Sequence, residues 1–351
     1  MKIVDFKLSR INAELKKPFV TNIRRVDMIQ DVLLELIADD GTVGYGEAPP
    51  TVAITGEDIN TIEQSVKEHI FPAIKGMNLD DDVFEAMHAS IPKNTSAKAC
   101  VDIALHDLLS RSKGVPLYEH LGGKNKTLKT NLTISLGSVD EMLRDAIAAY
   151  NDGFEILKVK VGGSEDESAE ITRLIREHLP SAIIRLDANQ AWDAAKSLRI
   201  IDRVAQYDIE LVEQPVKAAD FEGLKYVSTN SSVPILADES VFSYEDAVQI
   251  LDNMAAHYIN IKLMKTGGIY EAARVARLAR DHGAKVMMGS MLESVVSISA
   301  AVHFAMSDDN ICFYDLDGPL LAKPSSVKNA LKFNEDEISL ARCIGLGVEF
   351  R

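Results

Sequence analysis

Residues 156–161 read ILKVKV, and the same kind of short apolar run returns six times before residue 318: IIRLDAN (183–189), IELVEQP (209–215), PILADES (234–240), YINIKLM (258–264), KVMMGS (285–290) and CFYDLD (312–317). The runs recur about every 25 residues and are rich in Ile, Leu and Val without clean alternation. A parallel strand covered on both faces reads this way. Between the runs lie stretches of helical periodicity, such as EDAVQILDNM (245–254) and GIYEAARVARLARDHG (268–283). Adding TNLTIS (130–135), followed by the helical VDEMLRDAIAAYNDG (139–153), gives eight strand–helix units. Eight is the number that closes a β/α barrel, so the expected fold class is α/β, a TIM-type barrel.

Charged residues collect at the C-terminal ends of these runs. Lys158 and Lys160, Asp187, Glu213, Asp238, Lys262, and the pair Asp315 and Asp317 all stand there. Asp187 to Glu213 is 26 residues and Glu213 to Asp238 is 25, so each carboxylate lies one structural repeat from the next. Closing the barrel brings them together at its mouth, the face where barrel enzymes keep their chemistry. A strand that merely exits into solvent also ends on a polar residue. Three carboxylates at constant spacing, flanked by lysines, go beyond that.

Composition fits a cytoplasmic enzyme. The chain has 351 residues and a formal net charge of −15, with no basic cluster. Nucleic acid and anionic membranes are poor partners for such a surface. Cys100, Cys312 and Cys343 are odd in number and lack CxxC spacing, which suits a reducing compartment. Cys312, inside a strand run, reads as an inert buried thiol. There is no apolar leader or membrane-length run.

Residues 1–125 read as a separate α+β domain. MKIVDFKLSRINAEL and DVLLELIADDGTVGYGEA alternate like antiparallel strands, with a turn at Asp39–Gly41. Helices follow: NTIEQSVKEHIFPAI, capped by Asn60 or Thr61, then DDVFEAMHAS, then SAKACVDIALHDLLSRSKG (96–114). The expected division is a capping domain over 1–125, a barrel over 126–322, and a tail over 323–351 that returns to complete the cap. Two cap segments, FVTNIRRVDM (19–28) and GEAPPTVAITG (46–56), could cover the barrel mouth.

Asp187, Glu213 and Asp238 form an all-oxygen ligand set without His or Cys, which points to Mg²⁺, with Mn²⁺ as a substitute. Such an ion can bind a substrate carboxylate and stabilise the dianion formed when the adjacent carbon loses its proton. Lys160 on the second strand and Lys262 on the sixth lie across the ring from each other. Two bases on opposite faces of one carbon are what inversion of configuration needs. Their pKa must fall toward neutrality, and Lys158 with the metal could bring this about. Asn189, Glu239 and Lys265 read as groups that orient the ligands and Lys262. His257 and His303 read as structural histidines, and Gly162, Gly163, Gly267 and Gly268 as turn glycines.

These motifs, taken in order, resemble the enolase superfamily, in the muconate-lactonising-enzyme-like subgroup, and most of all its dipeptide epimerases acting on L-Ala-D/L-Glu. KVKVG (158–162) is similar to the paired-lysine motif whose second lysine is the base. LDANQAW (186–192), VEQPV (212–216) and ADES (237–240) resemble the metal-ligand segments, and INIKLMKTGG (259–268) the segment of the opposing base. The resemblance implies an enolase-like modified barrel and one Mg²⁺ per subunit. It also implies epimerisation of a dipeptide at its C-terminal residue, in peptidoglycan peptide metabolism, by a possible homo-oligomer. Asp315 and Asp317 resemble the Asp-x-Asp that holds the substrate ammonium. MGSMLES (288–294), with Met291 and Glu293, resembles a pocket-lining segment, and Thr133 and Lys158 are further substrate contacts it implies. KPFVTNIRRV (17–26) is similar to the loop whose arginine meets a C-terminal glutamate side chain, here Arg24, with Arg25 adjacent. APPTVAITG (48–56) resembles the lid. Other dipeptides, hydrophobic or basic, and the o-succinylbenzoate synthase or muconate cycloisomerase reactions remain alternatives at this point.

Overall fold

The computed structural model describes residues 1–324 and 327–350; Ser325, Ser326 and Arg351, part of the expected tail, lie outside the described residues. Strands β1 (Ile3–Val20), β2 (Arg25–Ala38) and β3 (Val43–Ala48) form an antiparallel sheet in that order. The helix Thr95–Ser112 lies against it so closely that a Cβ at Gly46 would stand 1.8 Å from Cys100 O, and one at Gly44 2.3 Å from Ala104 O. Only glycine permits that approach. The helix Ile59–Gln64 is capped by Asp58, whose carboxylate accepts from Thr61 N (2.7 Å), and not by Asn60 or Thr61. A carboxylate facing the unpaired N–H groups of the first turn is the stronger acceptor there.

After β4 (Leu128–Lys129) come the eight parallel strands of one sheet: β5 (Leu132–Ile134), β6 (Ile156–Lys160), β7 (Ile183–Asp187), β8 (Ile209–Glu213), β9 (Ile235–Ala237), β10 (Tyr258–Lys262), β11 (Lys285–Gly289) and β12 (Ile311–Asp315). Each pairs with the next in chain order, and Asn131 N donates to Tyr314 O (3.2 Å) where the first strand meets the last, which nearly closes the barrel. Leu211, Leu236, Met287, Phe313 and Tyr258 form an apolar cluster inside it. Two residues further along these strands stand Glu213, Asp238, Gly289, Asp315 and Asn260. Side chains two apart share a face of a strand, so an apolar floor gives way to a polar mouth within one inward step.

The tail divides between the two regions. Strands β13 (Lys328–Asn329), β14 (Leu331–Asn334), β15 (Glu337–Leu340) and β16 (Val348–Glu349) form two antiparallel pairs, β14 with β15 and β13 with β16. Strand β15 also pairs with β4 at the foot of the barrel, whereas Leu346 N donates to Asp107 on the long cap helix (2.8 Å). No helix among the described residues is long and apolar enough to cross a membrane. Cys312 is exposed rather than buried, because β12 turns every second residue out of the barrel.

Candidate active site

At the barrel mouth lysines and carboxylates interleave, all of them buried. Lys158 Nζ lies 2.6 Å from Asp315, 2.8 Å from Glu213 and 3.0 Å from Asp187. Lys160 pairs with Asp187 (2.6 Å), and across the ring Lys262 pairs with Asp238 (2.7 Å). Lys265 lies 2.7 Å from the Asp238 carboxylate and donates to the main-chain oxygens of Asp238 and Asn260 (2.5 and 2.8 Å). Asn189 N donates to Asp187 (2.9 Å), and its side chain donates to Glu239 (3.3 Å).

This crowding sets the charge states. Burial pushes the Asp187 carboxyl up, but Lys158 and Lys160 outweigh it and hold the group below its ordinary value. Glu213 goes the other way, raised by burial and then by Asp187. Burial pulls Lys262 down, yet Asp238, Glu213 and Glu239 together more than compensate and the ammonium ends above its ordinary value. Lys158 acts on it in the opposite, lowering direction.

Among the described residues no three Asp, Glu, His or Cys side chains are grouped around a common point ready for a metal. The long arm of Lys158 explains this, since its ammonium stands among Asp187, Glu213 and Asp315. The donor set nevertheless fits a hard divalent ion. Glu213 Oε2 and Asp238 Oδ1 are buried without a well-aligned hydrogen bond, although lysine nitrogens lie within ion-pair distance of both. Six carboxyls (Asp187, Glu213, Asp238, Glu239, Asp315, Asp317) also face four ammonium groups (Lys158, Lys160, Lys262, Lys265), an excess of two acids. A buried excess of that sign favours a cation.

The mouth opens into a cavity of about 40 Å³ walled by both domains. Lys160, Lys262 and Asn189 stand on its barrel side, and Phe19, Arg24 and Ile54 on its cap side. Residues 19–28 are strand on either side of a tight turn, in which Thr21 N donates to Arg24 O (2.9 Å). Arg24 faces the cavity, and among the described residues its guanidinium has no ion pair; burial draws its pKa down, with Asp31 the main opposing charge. Arg25 is exposed and pairs with Asp27 (2.9 Å). At the far end Asp317 accepts from Thr133 N (2.7 Å), and burial and then Asp315 raise its pKa.

Thr133, Lys158, Met291, Asp315 and Asp317 also line the cavity. Glu293 does not: its carboxylate is turned away to accept from Met291 N (2.6 Å) and Ser297. Three positioning residues escaped the sequence. Asn260 donates to Glu213 (2.9 Å), Asn131 to Asp315 (2.7 Å), and Gln214 Oε1 accepts from Asp238 N and Ser240 N (2.9 and 3.1 Å). Asn260 and Asn131 stand two residues before Lys262 and Thr133, so the strand alternation that placed the lysines could have found them.

Two family descriptions cover nearly the whole chain: "Mandelate racemase / muconate lactonizing enzyme, N-terminal domain" matches residues 4–122 and "Enolase C-terminal domain-like" residues 141–351. An L-Ala-D/L-Glu epimerase of Clostridium acetobutylicum is 42% identical over 99% of both chains. Among solved structures, a substrate-liganded complex of the L-Ala-D/L-Glu epimerase from Bacillus subtilis superposes with a TM-score of 0.97 at 39% identity, covering 99% of each chain. A dipeptide epimerase from Enterococcus faecalis, complexed with Mg and L-Leu-L-Tyr, gives 0.96 at 34% identity over 100% of each.

Proposed function

The chain belongs to the mandelate racemase/muconate lactonizing enzyme family of the enolase superfamily, and on that premise we propose that it is a dipeptide epimerase inverting the C-terminal residue, with L-Ala-L-Glu and L-Ala-D-Glu as its substrate pair. The observation that carries the reading is the pair of lysines on opposite walls of one cavity. One lysine removes the α-proton from one face as a neutral amine. The other, as an ammonium, returns a proton to the opposite face, and the reverse reaction exchanges the roles.

Asp187, Glu213 and Asp238 would hold one Mg²⁺ per subunit, or Mn²⁺ in its place. When bound, the ion supplies positive charge against the anion left by loss of the α-proton. Asn189, Glu239, Lys265, Asn260 and Gln214 hold the carboxylates in place. Asp315 and Asp317 receive the substrate ammonium, which relieves the repulsion between two buried acids. Lys158 fixes Asp315 and contributes positive field beside Lys160. Arg24, a cation with no ion pair among the described residues, receives the glutamate carboxylate through two parallel hydrogen bonds.

A substrate with no ammonium group, as in o-succinylbenzoate synthesis or muconate cycloisomerisation, would bring no cation to Asp317, which lies beside the Asp315 carboxylate, and this costs stability in the complex. A second reading, epimerisation of dipeptides with an apolar second residue, draws support from Ile23, Ile54 and Leu321 in the same cavity wall. We place the protein in the cytoplasm, with residues 1–125 as cap, 126–322 as catalytic barrel and the tail from 323 shared between them. A dipeptide-library screen for solvent-deuterium incorporation tests the assignment. Clear preference for glutamate supports it, and preference for apolar second residues selects the second reading.

A further inference from the structure

The turn carrying Arg24 meets the barrel through Asn22. Its side-chain Nδ2 donates to Val161 O (2.7 Å) and to Ala188 O (2.9 Å). Val161 directly follows Lys160, and Ala188 directly follows Asp187. The ladder between these strands runs out here, with Val161 N donating to Asp187 O and Ala188 N to Glu213 O (2.9 and 3.1 Å). One amide group thus spans the ends of the two strands that carry a base and a carboxylate.

The seat for that amide is made by the absence of a side chain. A Cβ on Gly162 would lie 2.0 Å from Asn22 Nδ2 and 2.2 Å from Oδ1. Gly162 is not among the residues of positive φ, so its backbone does not require glycine, contrary to its reading as a turn residue. On the cap side, the turn is tied to itself: Thr21 Oγ1 accepts from both Ile23 N and Arg24 N (3.3 Å each). The neighbouring ties, Leu136 N to Val20 O (3.0 Å) and Val20 N to Ser135 Oγ (3.4 Å), hold the last strand residue before the turn and leave the turn residues themselves to Asn22.

We propose that Asn22 is a positioning residue that docks the Arg24 turn onto the Lys160 and Asp187 strand ends, so that the group recognising the substrate side chain is held in fixed register with the reacting groups. The ligand of Arg24 rests on the dipeptide reading above; the docking does not.

Three single variants and one double variant test it. Asn22→Ala removes the amide, and Asn22→Asp keeps the shape but replaces the donor with a carboxylate facing two carbonyls. Gly162→Ala evicts the side chain from the other side. Amide hydrogen exchange of residues 19–25 in the ligand-free enzyme should speed up by about tenfold or more in each single variant, the loss expected for two hydrogen bonds. KM for L-Ala-L-Glu should rise roughly tenfold, with kcat changing less than about threefold, because the bases stay in place. Asn22→Ala with Gly162→Ala should be no worse than either alone, since both remove one contact. Unchanged exchange in the single variants, or effects that add in the double variant, would overturn the proposal. A wild type inactive on every dipeptide would defeat the substrate reading, and the exchange data would still decide the docking.

Discussion

Arg24→Ala separates substrate recognition from chemistry. Arg24 faces the cavity and has no ion pair among the described residues, whereas Arg25 is exposed and already paired with Asp27. A guanidinium–carboxylate contact at about 4 Å and an effective dielectric of about 20 is worth roughly 4 kcal/mol. The site is only half-buried, so screening reduces this to about 2–4 kcal/mol. With each 1.4 kcal/mol equal to about tenfold, kcat/KM for L-Ala-L-Glu should fall between roughly 30-fold and nearly 1000-fold. A dipeptide with leucine in second place has no carboxylate to lose and should change by less than about threefold. Arg25→Ala should change either substrate by less than about fivefold, as for an exposed pair. Initial rates by polarimetry, with each variant's circular dichroism compared with the wild type, give the ratio. Equal losses for the two substrates in Arg24→Ala, or a larger glutamate-specific loss in Arg25→Ala, would refute the reasoning.

Lys160→Gln and Lys262→Gln should each abolish epimerisation, while the remaining lysine still exchanges the α-proton of one stereoisomer; mass spectrometry of each epimer after incubation in D₂O reads this directly. Exhaustive chelation should remove activity, and Mg²⁺ or Mn²⁺ should restore it, as followed by activity against calorimetric metal titration. His303 supplies a pH test of stability. Its ring is buried, Tyr118 N donates to its Nδ1 (3.0 Å), and burial lowers its pKa to about 4. Between pH 6.5 and about 4 the unfolded chain therefore binds a proton that the folded protein does not, so the stability contribution is complete above 6.5 and lost as pH falls. The loss should approach about 3 kcal/mol, and denaturant titrations of His303→Gln should show a flatter profile in that window.

The barrel was legible because its strands are short, apolar and evenly spaced, and each ends where its chemistry begins. Spacing alone was enough to bring Asp187, Glu213 and Asp238 to one mouth, and place in the ring to set Lys160 and Lys262 on one cavity. What spacing does not carry is the direction in which a polar side chain turns. Glu293 sits in the expected segment but bends back to the Met291 N–H, and Lys158 reaches into the carboxylate cluster where a ligand set was expected to stand open. Asn22 was invisible for a related reason. Its partners are main-chain oxygens, which every residue possesses, and the one trace left in sequence is a glycine 140 positions away at Gly162. Cys312 was misjudged because β12 alternates, with every second residue facing out, unlike the fully covered β6 and β10 interiors.

The central claim is that this cavity inverts the α-carbon of a dipeptide's C-terminal residue, and proton NMR of L-Ala-L-Glu in D₂O with the Mg²⁺-supplemented enzyme tests it most directly. The account predicts that the glutamyl α-proton resonance disappears while the methyl signals of a second diastereomer, L-Ala-D-Glu, grow to equilibrium. A persistent α-proton with no second diastereomer, or vinylic resonances from an elimination product, would contradict it.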